Sequence, residues 1–103
     1  MAEHLLFIYG TLQEIEVQKK VFGRMAKSNP DRLSGYKKED IKTQDGGTYP
    51  IAIHNKGFFI DGSTIEVTDL ELIMIDKYET NEYKRIVRIL DSGRKAWVYV
   101  APR

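Results

Sequence analysis

Two short strings, far apart in the chain, carry residue types that could do chemistry together. The first is Tyr9-Gly10-Thr11-Leu12, directly after the apolar run Leu5-Leu6-Phe7-Ile8. The second is Glu79-Thr80-Asn81-Glu82-Tyr83-Lys84-Arg85, at the end of an apolar segment. A strand that stops at a glycine-containing turn leaves backbone N–H groups free to converge on an oxyanion or a carboxylate. Gly10 removes the Cβ that would block close approach, Thr11 offers a hydroxyl, and Tyr9 offers an aromatic wall or a phenol. Opposite such a loop, Glu79 has the makings of a general acid/base. It follows Leu70, Leu72, Ile73, Met74, Ile75 and Tyr78, which read as a helix apolar nearly all round and buried on more than one side. Burial raises a carboxylate's pKa, and Asp76, one helical turn earlier, raises it further.

Each feature also has a plainer reading. The first string is also what a turn with Gly at a positive-φ position looks like. Glu79 can equally be a solvated residue at a fraying helix end, paired with Lys77 or Arg85. Tyr83 and Arg85 alternate with Lys84 and so share a strand face near Glu79. Arg85 is suited to a substrate carboxylate, and equally to a structural pair with Asp76 or Glu79. His4 and His54 are isolated, so no metal site is read. The chain has no G-x-x-x-x-G-K or G-x-G-x-x-G string and no G-x-S-x-G elbow, which gives no sign of a nucleotide, a cofactor or a serine nucleophile.

The elements that must position these residues can be outlined. Residues 5–9 read as a buried strand, and 14–26 as a helix with Val17, Val21 and Met25 on a narrow stripe. A loop is expected at 28–31, a strand at 33–41, and a turn at Asp45-Gly46-Gly47. Two strands follow, 49–54, with Pro50 confining it to an edge or bulge, and 58–67. Thr68-Asp69-Leu70-Glu71 is a capping box that starts a helix reaching about Tyr78. Strands at 83–90 and 95–100 are joined by Asp91-Ser92-Gly93-Arg94. A run of strands between two helices predicts an α+β fold. The expected form is a small barrel or highly curved sheet with two helices packed on it.

Composition narrows the partners. The 103 residues suffice for one domain, 1–103, with one core. Sixteen Lys and Arg against fifteen Asp and Glu give a formal net charge of +1, so no bulk electrostatic case exists for nucleic acid or an anionic membrane. The absence of cysteine excludes disulfides, a thiol nucleophile and Cys-ligated zinc. No apolar run approaches the roughly 20 residues that span a bilayer, and the N-terminus lacks a basic leader. The expectation is a soluble cytoplasmic protein.

On these residues the sequence resembles the gamma-glutamylcyclotransferase-like family, in its gamma-glutamylamine cyclotransferase and avirulence-induced-protein-like branch. The resemblance runs from Phe7-Ile8-Tyr9-Gly10-Thr11-Leu12, through Gly47-Thr48-Tyr49-Pro50 and Ile60-Asp61-Gly62, to the 72–79 helix. It continues through Tyr83-Lys84-Arg85 and Ala96-Trp97-Val98-Tyr99-Val100. It implies a small mixed β-barrel with a cavity at one end, a small-molecule substrate whose gamma-glutamyl group is bound by the loop at Tyr9, Gly10, Thr11 and Leu12, Glu79 as the acid/base, and no cofactor. The implied reaction is attack of the substrate's α-amine on its own γ-carbonyl, which releases 5-oxoproline and an amine. A noncatalytic small-molecule binding module on the same scaffold is the alternative. Two positions depart from the family pattern: Thr80 stands where Gly is usual, and Glu14-Ile15-Glu16 follows the loop where Gly is frequent. A β-branched residue resists positive φ, so Asn81 is expected to take any left-handed conformation while Thr80 stays at negative φ.

Overall fold

The computed structural model describes residues 3–42 and 46–102. Its centre is β1 (His4–Ile8), whose Leu6, Phe7 and Ile8 are almost wholly buried. A strand covered on both faces needs an uninterrupted apolar run, and this one has it. β1 pairs antiparallel with β3 (Thr48–Val67) and parallel with β5 (Lys95–Val100). β2 (Ser28–Lys42) and β4 (Lys84–Ile89) complete a five-stranded mixed sheet in the order β2-β3-β1-β5-β4. Side chains alternate across it. Leu6 and Ile8 pack with Ile65, Val67, Leu72 and Ile75 toward the helices, while Phe7 and Tyr9 pack with Leu33, Ile60, Val98 and Val100 on the other face.

The sheet is the curved form of the two expected, and it does not close into a barrel. Its edges β2 and β4 do not pair as a ladder; the β4–β5 turn meets β2 instead. There the Asp91 N–H donates to the Arg32 carbonyl (2.9 Å), and the Ser34 and Ser92 hydroxyls donate to Asp91 (2.8 Å) and Asp31 (2.6 Å).

Several local expectations change. Residues 28–31 belong to β2 and are not a loop: Pro30 sits on this edge strand, where a missing N–H is tolerated, and pairs with Ser63. The two strands expected at 49–54 and 58–67 are one bent strand. Ser34 faces Phe59 whereas Tyr36 faces His54, so residues 55–58 bulge out opposite Gly35, with Gly57 at φ 100°. Pro50 lies in β3 opposite Asp40, with its ring nitrogen on the side away from β2. Of the expected turn at 45–47, Asp45 falls outside the described residues; Gly46 has φ 85°.

Both helices differ in burial from expectation. α1 is Ile15–Phe22, stopped by Gly23 in the left-handed conformation, and Met25 beyond it is 58% exposed. The buried residues of α1 are Gln18 and Phe22. The Gln18 amide donates to the Leu12 carbonyl (2.7 Å) and accepts from the Ala26 N–H (2.9 Å), which pins the loop after β1. α2 is Asp69–Glu79, opened by the expected capping box: the Glu71 N–H donates to the Thr68 hydroxyl (3.1 Å), and Glu71 accepts from the Thr68 N–H (3.0 Å). It is not buried all round. Leu72 and Ile75 face the core, while Leu70 and Ile73 are more than half exposed, because α2 covers one flank of the sheet and none of the described residues packs over its outer side.

Candidate functional site

β1 ends at the mouth of a cavity of about 370 Å³. Tyr9, Gly10, Thr11 and Leu12 form one wall; Tyr49 and Pro50 of β3 a second; Tyr78, Glu79 and Thr80 at the end of α2 a third. Glu82, Tyr83 and Tyr99 complete the lining that matters here. The volume lies within the range of small-molecule sites.

The loop is held by its own sequence. Residues Thr11–Gln13 form a single 3-10 turn. Its first internal bond runs from the Gln13 N–H to the Gly10 carbonyl (3.1 Å), so the N–H groups of Gly10, Thr11 and Leu12 precede any acceptor the turn supplies. Gly10 does not adopt a positive φ; its φ is −121°. It is needed for space, since a Cβ there would stand 2.9 Å from Pro50 Cγ. The plainer reading of this glycine, a left-handed turn, is thereby replaced by close approach of the loop to the Pro50 ring.

Tyr9 contributes its ring to the wall, but its hydroxyl is already used. It donates to the Tyr99 carbonyl (2.5 Å) and accepts from the Ala52 N–H (3.0 Å). Burial pushes this phenol well above its ordinary pKa, with Tyr83 and Glu79 adding to the effect, so it stays neutral. Thr11 and Tyr78 share a hydrogen bond between their hydroxyls (2.7 Å), which ties the loop to α2 across the cavity. Tyr83 donates to the Pro50 carbonyl (2.7 Å), a second tie.

Glu79 is half-buried at the last position of α2. Among the described residues none hydrogen-bonds or ion-pairs with its carboxylate, so neither Lys77 nor Arg85 is its partner. Burial, then the negative charge of Asp76, pushes its pKa up to about 7. Asp76 behaves oppositely. Its burial works to raise its pKa, but hydrogen bonds from Arg85 and Tyr99 outweigh it and hold the group below the usual range. Arg85 donates from Nε and a terminal nitrogen to the two Asp76 oxygens (2.8 Å each), and the Tyr99 hydroxyl donates to Oδ1 (2.6 Å). Arg85 also lies 4.2 Å from the centre of the Trp97 ring.

Of the residues singled out from sequence, Tyr9, Gly10, Thr11, Leu12, Glu79 and Tyr83 line one cavity. Arg85 does not; its guanidinium is committed to a structural pair with Asp76. Residues that the sequence reading missed at the cavity are Tyr49, Pro50, Tyr78, Glu82 and Tyr99. Tyr49-Pro50 and Tyr99 stood within matching fragments, yet only the curl of the sheet brings them to Glu79.

Thr80 departs most from expectation. Its φ is 63° and ψ −166°, and Asn81 is not at positive φ. The expectation that Asn81 would absorb the turn is therefore wrong. Thr80 caps α2 itself, its N–H donating to the Asp76 carbonyl, in a backbone region otherwise almost confined to glycine.

Among the described residues no group of three or more His, Cys, Asp or Glu side chains is arranged to hold a metal ion. His4 pairs with Asp69, and His54 packs edge-on to Tyr36. No helix among the described residues is long and apolar enough to cross a membrane.

Comparison with known proteins adds a family. The family described as gamma-glutamyl cyclotransferase, AIG2-like, matches residues 6–103. The chain is 34% identical over 101 residues to AIG2-like protein C of Arabidopsis thaliana, covering 94% of this chain and 57% of that protein. It is 32% identical over 84 residues to Protein AIG2 C of the same plant, covering 81% of this chain and 49% of that one. The chain thus spans about half the length of the curated relatives it matches. A solution structure from Arabidopsis thaliana superposes with a TM-score of 0.83 at 23% identity, over 97% of this chain and 69% of that one. A gamma-glutamyl cyclotransferase structure does so with a TM-score of 0.80 at 17% identity, over 97% of this chain and 67% of that one. At these identities the two structures establish the fold.

Proposed function

Because the chain belongs to the gamma-glutamyl cyclotransferase, AIG2-like family, we propose that it is a cyclotransferase acting on gamma-glutamyl amides, with Glu79 as the general acid/base. The observation that carries this reading is the state of Glu79: a carboxylate without a partner among the described residues, at the end of a helix, in a cavity that it shares with the 9–12 loop.

Cyclisation joins two parts of one molecule, so positioning supplies much of the catalysis and no covalent enzyme intermediate is required. The Glu79 carboxylate accepts a proton from the substrate's α-ammonium, and the freed amine attacks the γ-carbonyl carbon. As the new C–N bond closes the five-membered ring, the old amide C–N bond breaks. One proton stays on the lactam nitrogen; the other two pass, by way of Glu79, to the departing nitrogen, which leaves as an ammonium ion. A carboxylate with pKa near 7 is suited to both halves of this relay at neutral pH. The N–H groups of Gly10, Thr11 and Leu12 are the groups available to hold the glutamyl carboxylate or the developing oxyanion.

The test is release of 5-oxoproline from gamma-glutamyl amides by the purified protein and by Glu79→Gln. Turnover that depends on Glu79 supports the reading. Tight binding of the amides without turnover favours the noncatalytic binding module.

A further inference from the structure

A second cavity, of about 280 Å³, lies at the opposite end of β1 from the 9–12 loop. The strand register builds its floor. Leu5 pairs with Glu66, and Thr64 with both Phe7 and Asn29, so these side chains share one face of the sheet. Thr64 is 1% exposed, and its hydroxyl makes only a long bond (3.5 Å) to the Asn29 carbonyl. A hydroxyl both donates and accepts, so this one keeps bonding capacity for a ligand above it.

Three cations border that floor, each from a different element. Arg24 follows α1, Lys27 directly precedes β2, and Arg94 comes from the β4–β5 turn, which its bonds to β2 hold in place. Arg24 is fixed in position. Its Nε and one terminal nitrogen donate to the two Glu71 oxygens (2.7 and 2.9 Å), and that same terminal nitrogen donates to the Glu66 carbonyl (2.8 Å). Among the described residues, its other terminal nitrogen has no partner, nor has the Lys27 ammonium or the Arg94 guanidinium. Two carboxylates beyond Glu71 stand near. Asp31 already accepts from the Ser92 hydroxyl and from the N–H groups of Arg32 and Ser92. Glu66 is exposed, so water and salt screen its charge.

We propose that this cavity is a second ligand site, which binds a phosphoryl group, carried by a small phosphomonoester or present as the free ion. A phosphoryl group brings up to two negative charges and three strong acceptor oxygens. Here it meets a pre-positioned guanidinium, two uncommitted cations on separate elements and a buried hydroxyl beneath. Guanidinium forks suit such oxygens, and charge-assisted bonds are the stronger ones. With an ester, Glu66 at the rim is left to accept from a hydroxyl of the organic part. The site is separate from the cavity of Glu79, and the inference does not rest on the cyclotransferase reading.

Calorimetric titration with inorganic phosphate and with glycerol 3-phosphate, at constant ionic strength, tests this. Saturable binding is expected. Tighter binding of glycerol 3-phosphate identifies the ligand as an ester, and tighter binding of phosphate identifies it as the free ion. Lys27→Gln and Arg94→Gln should each weaken binding ~10-fold, the scale of one lost charge-assisted contact. Lys38→Gln, farther along β2, should leave it unchanged. All three side chains are exposed, so the circular dichroism spectra should match that of the wild type. No saturable binding of either compound up to ~10 mM overturns the proposal. So does binding that neither Lys27→Gln nor Arg94→Gln weakens. Binding lost in Gly10→Ala but kept in those two variants puts the ion in the 9–12 cavity and overturns it as well.

Discussion

Asp76 and Glu79 stand one turn apart on α2, and of the two only Asp76 is paired. It takes two hydrogen bonds from Arg85 and one from Tyr99, while the Glu79 carboxylate takes none from any described residue. One helix thus carries a fixed anion and, beside it, a carboxyl group poised to exchange a proton.

Glu79→Gln keeps the shape of the side chain and removes its proton exchange. Turnover should fall by ~100-fold or more, the scale of general acid–base catalysis, with the circular dichroism spectrum unchanged. In the wild type, kcat/KM should decline below about pH 7 as the base becomes protonated. A wild-type profile flat from mildly acidic to neutral pH would remove Glu79 as the base.

Stability should respond to the same group with the opposite sign from most carboxylates. The folded pKa of Glu79, about 7, lies above its ordinary value of 4.5, so the folded state holds the proton more tightly. The stabilisation is complete below pH 4.5 and is lost as pH rises through 7. Allowing for partial solvent access, the loss is on the order of 2 kcal/mol. Denaturant titrations of wild type and Glu79→Gln at several pH values should differ by this amount; parallel curves would contradict the burial of Glu79.

Asp76→Asn removes the negative charge that helps to raise the Glu79 pKa. The acidic limb of the activity profile should move to lower pH, because one of the two causes of the raised Glu79 pKa is gone. Arg85→Gln leaves Asp76 less compensated and should move that limb the other way. For this partly exposed pair the stability cost is on the order of 1 kcal/mol. Shifts in the same direction for both variants would break the argument.

Thr80→Gly should stabilise the fold. Thr80 at φ 63° and ψ −166° holds a conformation that costs a β-branched residue ~1–3 kcal/mol, partly offset by glycine's greater loss of backbone freedom. A net gain of about 1 kcal/mol is expected from thermal or denaturant unfolding. A loss would mean that Thr80 makes contacts outweighing its backbone strain.

Gly10→Ala should impair substrate binding more than stability. The new methyl would press on Pro50 Cγ and displace the loop from the opposite wall. A raised KM with a small change in unfolding midpoint is the expected pattern, and an unchanged KM would show that the loop position is immaterial.

Much of this fold follows from local rules. The buried β1 run, the capping box before α2, the β4–β5 hairpin and the glycine loop are each encoded within a few neighbouring residues, and each forms as those residues require. The loop at 9–12 and the carboxylate at the end of α2 are each legible in the same way, but that they line one cavity is decided by the sheet. Properties set by distant contacts were not legible. Whether α2 was buried on one side or all round depended on what packs over it. Whether Gly10 served a turn or a close approach depended on Pro50, forty residues away, which only the curl of β3 brings near. Arg85 had two carboxylates within reach along the chain, and its choice of Asp76 follows from the register of β4 with β5, which puts Arg85 opposite Tyr99 and so beside the carboxylate that Tyr99 also binds. Thr80 shows the limit most sharply. Local preference assigned the left-handed conformation to Asn81, yet the path from α2 into β4 is fixed at both ends by packing, and the chain accepts an unfavourable φ at Thr80 to make it.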